Sequence, residues 1–302
     1  MVFERQRRLL ALVDALGGAV PALDFQKLLF LYTREEESEP SYDFVPYRFG
    51  GFSFTSYADK RRLVELGMLG DEERQWTLTE AGKVLAQQFG SERLRMDTFA
   101  RRRSGLRGDP LVAEVYRRFP YYATRSEISE RVLAGDAPAL KEIAKAGRGA
   151  ERAHPPGLYT IGYEGRSLEE YLNRLIRAGV TLLCDVRRNP LSRKYGFSKG
   201  TLAKACEGVG LRYEHLPELG IASDRRRELK SQADYDALFA DYEREDLPEQ
   251  GPALARIAGW VKDGGHRVAL TCFEHAPEQC HRHCVAEALE RSFGRTLAPA
   301  HL

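Results

Sequence analysis

Residues 158–186 read LYTIGYEGRSLEEYLNRLIRAGVTLLCDV, and this stretch decides the fold of the second half of the chain. Leu158 to Gly162 is a short apolar run closed by turn residues. Ser167 suits a helix N-cap, Leu168, Tyr171, Leu172, Leu175 and Ile176 then fall on one helical face, and Gly179 stops the helix. Val180 to Val186 is nearly all apolar, as expected of a strand covered on both faces. Strand, helix and strand in this order predict a parallel pair with a right-handed crossover.

Downstream, the same rhythm predicts helices at 201–208, 235–244, 252–262 and 280–293, and strands at 212–216 and 267–272. The fold class is therefore α/β, a Rossmann-like three-layer domain over residues 157–302. No GxGxxG turn follows the first strand, so a dinucleotide is not expected.

In open parallel sheets the ligand crevice lies beyond the carboxyl ends of the strands. The polar residues at those ends are Tyr163, Glu164 and Arg166, then Asp185, Arg187 and Arg188 followed by Ser192, Arg193 and Lys194. Glu218 follows the third strand, and Cys272, Glu274, Cys280, His281 and Arg282 follow the last. Acids and bases from distant segments thus converge on one cleft, the pattern of an active site.

The segments YTIGYEGRSLEEYLNRL, CDVRRNPLSRKYGFSK, YEHLPELG and LTCFEHAPEQCHR resemble the serial motifs of the family catalogued as domain of unknown function DUF488, over about residues 157 to 290. Tyr163 stands where that family often has His, and His283-Cys284 extends its CHR motif. The resemblance supports the cleft and implies no particular chemistry.

The chemistry must come from the residues. Glu164, Asp185 and Glu274 are candidate general acids and bases, with His281 as a proton-transfer group or pocket donor. Tyr163, Arg187, Cys272, Cys280 and Arg282 are candidate ligand-binding residues, the arginines for a phosphate or sugar oxyanion. Simpler roles compete: Asp185 and Arg187 as an ion pair that orders a loop, Glu164 as a capping acid, Cys280 as a packing residue rather than a nucleophile activated at a helix N-terminus. Cys272, Cys280, His281, His283 and Cys284 invite a zinc reading, with Cys280 and Cys284 at i and i+4. There is no CxxC pair, however, and residues 280, 281 and 283 of a helix point in different directions, so neither metal nor cofactor is assigned.

In the first half, helices are predicted at Arg5 to Leu16, ended by Gly17-Gly18, and from Asp24 as N-cap to about Arg34. An aromatic loop precedes a helix from about Ser53 to Gly67. Trp76-Thr77-Leu78 reads as a strand, and Thr79 opens another helix. LVELGML…WTLTEAGKVL resembles the recognition-helix-to-wing passage of winged helix-turn-helix domains. VPYRFGGFS is similar to a segment of small winged-helix modules found beside toxin-antitoxin and phage genes. The resemblance implies a winged-helix (α+β) domain over residues 1–90, with Lys60, Arg61 and Arg62 toward nucleic acid and Tyr47, Phe49, Phe52, Phe54 and Tyr57 bordering it. Most of those aromatics would equally suit a core.

Residues 91–150 read as a helical, arginine-rich connector, and residues 147–157 as the domain boundary. Arg101, Arg102 and Arg103 join Arg193 and Lys194 as candidate nucleic-acid contacts. Any such surface is local, because 46 basic against 44 acidic residues leave a net charge of only +2. The N-terminus lacks a signal-peptide pattern, no long apolar run exists, and the five cysteines are an odd number, so a cytoplasmic chain with reduced thiols and no membrane partner is expected. Two domains suit 302 residues.

The expected function is nucleic-acid processing, with DNA the expected polymer, by a repair-type hydrolase for which an N-glycosidic bond in a flipped nucleotide is one candidate. The alternatives are a non-enzymatic DNA-binding regulator sensing a small anion, and a protein-docking adaptor.

Overall fold

The computed structural model describes residues 1–90, 92–152, 155–222, 225 and 229–302, and the chain divides into two compact units, Met1–Gly147 and Arg148–Leu302. The first unit begins with α1 (Glu4–Ala15), β1 (Ala19–Pro21) and α2 (Ala22–Glu35). Leu9, Leu10, Leu12 and Val13 bury the inner face of α1. The helix stops where expected, because Gly17 and Gly18 take φ of +103° and +79°, a conformation that costs a side-chain-bearing residue about 1–2 kcal/mol. Asp24 does not cap α2: the helix starts after Pro21, and the Asp24 carboxylate accepts from the Gly108 N–H at 2.9 Å.

The aromatic loop is a short hairpin, β2 (Val45–Tyr47) with antiparallel β3 (Gly50–Phe52). Then come α3 (Phe54–Glu65), β4 (Gln75–Thr77) and α4 (Glu80–Gln87), with Ser53 and Thr79 capping the two helices by accepting from Ser56 N and Gly82 N. β4 pairs with β1, placing Val20 opposite Trp76. α5 (Arg93–Arg102), α6 (Gly108–Arg118), α7 (Ser129–Val132) and α8 (Ala137–Arg152) follow. Residues 92–147 are mainly helical but are not a connector. Met96, Phe99, Leu111, Val112, Val115 and Tyr116 are buried in one core with Leu10, Phe25 and Phe30, so the stretch belongs to the first unit.

The second unit alternates β5 (Gly157–Gly162), α9 (Leu168–Arg177), β6 (Leu182–Asp185), α10 (Lys199–Gly208), β7 (Arg212–His215), α11 (Gln232–Asp241), α12 (Gly251–Lys262), β8 (Arg267–Cys272), α13 (Arg282–Phe293) and β9 (Pro299–His301). The fold is α/β, with a parallel five-stranded sheet in the order β7-β6-β8-β5-β9. β5 and β6 are parallel but not neighbours: β8 lies between them, Val268 standing opposite both Leu158 and Leu182. Its run from Val268 to Cys272 is wholly buried, which suits a central strand. β7, with Arg212 exposed, takes an edge. β9 escaped the sequence reading because three residues carry no period. Among the described residues, no helix is long and apolar enough to cross a membrane.

Candidate functional site

Beyond the carboxyl ends of β5, β6 and β8 lies a cleft of about 310 Å³, lined by Tyr163, Arg187, Arg188, Asn189, Arg193, Cys272 and Glu274 among others. Two close approaches shape it. A Cβ on Gly162 would stand 1.8 Å from the Glu274 carbonyl oxygen, and one on Gly220 would stand 2.0 Å from the Arg188 amide nitrogen, so only glycine lets these loops meet.

Asp185 is not available as the expected acid or base. It is fully buried, and its carboxylate accepts from Arg187 Nε at 2.8 Å, Arg187 Nη2 at 2.5 Å, the Arg187 amide at 3.1 Å and the Tyr213 hydroxyl at 2.7 Å. Burial alone would lower the Arg187 pKa; the paired carboxylate more than reverses this and keeps the guanidinium charged. Burial and the same carboxylate push the Tyr213 phenol well above its ordinary value, so it remains a donor. Arg187 also donates through Nη1 to the Tyr163 hydroxyl and the Phe197 carbonyl, each at 2.9 Å. Tyr163 in turn stacks on Phe197 at 4.3 Å between centroids. The Asp185–Arg187 pair therefore frames the cleft floor, and Arg187, which lines the cleft, already donates to Asp185, Tyr163 and Phe197. Sequence reasoning missed Tyr213, whose signal was its place in the YEHLPELG motif.

Arg282 is likewise engaged internally. Its Nη1 donates to the Glu274 carbonyl at 2.6 Å and its Nη2 to that of His275 at 2.9 Å, clamping the loop after β8. Glu164 is exposed and accepts from the His275 N–H at 2.9 Å, tying the loop after β5 to the same segment. Lys194 donates to the Tyr163 carbonyl at 3.1 Å. Arg166 is buried, donating to the Gly162 carbonyl. Exposed cations on the cleft come instead from Arg188 and Arg193.

Cys272 and Glu274 line the cleft, and His281 comes up against Cys272 from beneath. His281 is buried, and its Nε2 lies 2.9 Å from the Val186 carbonyl oxygen, which can only accept, so Nε2 carries a proton and, in the neutral imidazole, Nδ1 carries the lone pair. That lone pair faces the Cys272 thiol at 3.6 Å, and the same sulfur lies 3.5 Å from Glu274 Oε2. Cys280 is buried beside them, and burial pushes its thiol well above the ordinary value, opposite to a thiolate activated at a helix N-terminus. The chemical capacity of the site is proton transfer at Glu274 and the His281–Cys272 pair, under a cationic rim.

The basic residues expected to touch nucleic acid in the first unit are mostly committed elsewhere. Lys60 is buried and donates to the Glu72 and Gln75 carbonyls at 2.6 and 2.7 Å, fastening α3 to the start of β4 and the turn before it. Arg102 pairs with Glu36, Arg103 with Glu35 at 2.6 Å and Arg118 with Glu35 at 2.5 Å, so the arginine cluster neutralises the acidic end of α2. Arg62 pairs with Glu65 on the surface; Arg61 and Arg101 are exposed, Arg101 donating to Thr98. Tyr47, Phe52, Phe54 and Tyr57 pack on one another, Tyr47 and Tyr57 each stacking on Phe52, while Phe49 is exposed.

Residues 167–289 match the family model described as Domain of unknown function DUF488, wholly within the second unit. No curated protein and no solved structure matches the chain.

Proposed function

Taking as premise that the second unit carries a DUF488 domain, we propose that the protein is a nucleic-acid-processing hydrolase. Its reacting centre is Cys272, His281 and Glu274, and Arg188 and Arg193 hold a phosphate of the substrate. One observation carries this reading: a proton-transfer cluster lies at the floor of a crevice beyond the strand ends, with exposed guanidinium groups at its rim. In this reading the second unit is a Rossmann-like catalytic domain, and Glu274 replaces Asp185 as the working carboxylate. The first unit is a winged-helix module. Support for that comes from the order α1, β1, α2, the β2–β3 hairpin, α3, from the bridge between Leu69 and Leu78 that forms a ribbon after α3, and from its pairing onto β1 through β4. Its polymer contacts then fall to exposed Arg61 and Arg62 of α3 rather than to buried Lys60.

The test uses labelled single- and double-stranded DNA and RNA, intact and base-damaged, with binding and product read together. Arg188→Ala and Arg193→Ala are expected each to reduce the slope of log affinity against log salt by about 1, and Glu274→Gln to bind but yield no product. Full product formation by Glu274→Gln removes the assignment of chemistry to this cluster.

A further inference from the structure

Two thiols and an imidazole meet at the floor of the cleft in a way that proton transfer alone does not require. The ligating atoms of Cys272, Cys280 and His281 all lie within 4.8 Å of one another, and all three residues are buried. Cys272 Sγ stands 3.6 Å from His281 Nδ1. A tetrahedral ion with metal–sulfur and metal–nitrogen bonds of about 2.3 and 2.0–2.1 Å has a sulfur–nitrogen edge of about 3.5 Å. The observed separation is that edge.

The orientation of His281 carries the argument further. Nε2 donates to the Val186 carbonyl, which fixes the tautomer of the neutral ring and leaves Nδ1 facing the Cys272 sulfur. Metal-bound histidines are held in this manner, the second nitrogen donating to a backbone carbonyl or carboxylate. Local backbone geometry explains how adjacent residues can share a centre. Cys280 is not in α13: it has extended backbone, φ −140° and ψ 127°, while His281 caps the helix at φ −54° and ψ −15°. The helical projection that separates residues 280 and 281 therefore does not apply. His283 and Cys284 are not part of the cluster, since His283 Nδ1 lies 2.8 Å from the Cys280 carbonyl oxygen and Cys284 contacts His283.

We propose that Cys272, Cys280 and Nδ1 of His281 bind one zinc ion at the cleft floor, with the fourth position open to water on the cleft side. Sulfur and imidazole donors select zinc over magnesium, calcium or manganese. Binding displaces the two thiol protons to solvent and leaves a neutral zinc dithiolate. Cys272 and Glu274 both line the cleft, and Glu274 Oε2 lies 3.5 Å from Cys272 Sγ, so Glu274 is the carboxylate that would accept a proton from a water held by the ion. The site deepens the proposed hydrolase, and its test is independent of activity.

The experiment is metal analysis of the full chain purified from zinc-supplemented growth, followed by cobalt substitution and absorption spectroscopy. One zinc per chain is expected, together with cobalt bands of a tetrahedral site with thiolate-to-cobalt charge transfer. Cys272→Ser, Cys280→Ser and His281→Ala lose the metal and the bands, whereas Cys284→Ser keeps both. Should the first three variants fail to fold, zinc titration of the chelator-stripped wild type against a thiol reagent decides: two thiols become protected per zinc bound. Wild-type chain that takes up no zinc, or Cys284→Ser losing metal as Cys272→Ser does, overturns the site. Zinc bound in a chain that neither binds nor processes nucleic acid keeps the site and removes the hydrolase; product formed by a chain that takes up no zinc keeps the hydrolase and removes the site.

Discussion

Lys27 offers a quantitative test of how the first unit is built. Its side chain is 1% exposed and its Nζ donates to the Gly51 carbonyl at 3.0 Å, beside an apolar cavity of about 540 Å³ lined by Tyr47, Phe52 and Tyr57. Burial pushes the ammonium pKa down from 10.5 to about 7. The sign follows from proton uptake. Between pH 10.5 and about 7 the unfolded chain binds the Lys27 proton and the folded one does not, so stability falls as pH falls through this window and is flat below it. At 1.36 kcal/mol per pKa unit the whole window amounts to about 5 kcal/mol, and the fall from pH 9.5 to 7.5 to about 3 kcal/mol. Lys27→Met keeps the volume, loses one hydrogen bond at a cost of about 1 kcal/mol, and removes this titration. Relative to wild type the variant is thus slightly less stable at high pH and more stable at pH 7. Urea unfolding followed by Trp76 fluorescence in a Trp260→Phe background isolates the first unit, since the chain has only these 2 tryptophans. Parallel stability curves for Lys27→Met and wild type from pH 7.5 to 9.5 would refute the reasoning.

The other expectations concern the frame of the cleft and the arginine cluster. Asp185→Asn leaves Arg187 buried without its countercharge and is expected to cost about 3–5 kcal/mol in thermal or chemical unfolding, with much of the loss recovered when Arg187→Met is added. A double variant no more stable than the single one contradicts a self-contained pair. Gly162→Ala must push the Glu274 carbonyl aside, at an expected cost of about 1–3 kcal/mol and with loss of the cleft loop's protection in hydrogen exchange; unchanged protection at residues 273–275 contradicts the close approach. Arg102→Ala with Arg103→Ala is expected to leave the salt dependence of nucleic-acid binding unchanged, because Glu36 and Glu35 already hold these groups. A slope reduced by about 2 would return them to the interface.

Much of the second unit was legible because strand and helix periods alternate cleanly: Ser167 does cap α9 and β8 does end at Cys272. Strand order was not, since periodicity says nothing of neighbours, and β8 displaces the expected β5–β6 pairing. At the cleft, residue type and position at a strand end brought Cys272, Glu274 and His281 to notice, yet could not separate them from Asp185, Arg187 and Arg282. What separates them is where their hydrogen bonds go, which depends on Tyr213, Phe197 and the loop carbonyls. For the same reason Lys60 and Arg103 read as surface charges: a sequence shows a cation but not the carbonyl or carboxylate folded against it.

The place of β8 in the sheet also has a meaning for how the chain acquires its structure in time. In the sheet β5 and β6 are joined through β8, and the pairing of Gly157 with Arg267 spans 110 residues (267 − 157). During synthesis the chain through α12 therefore holds two apolar strands with no common partner, and loop closure must be complete before the pairing repays it. Assembly of this unit is a late, concerted event that waits on residues 267–272 leaving the ribosome, and a chain truncated before them exposes unpaired strand edges open to association with other copies.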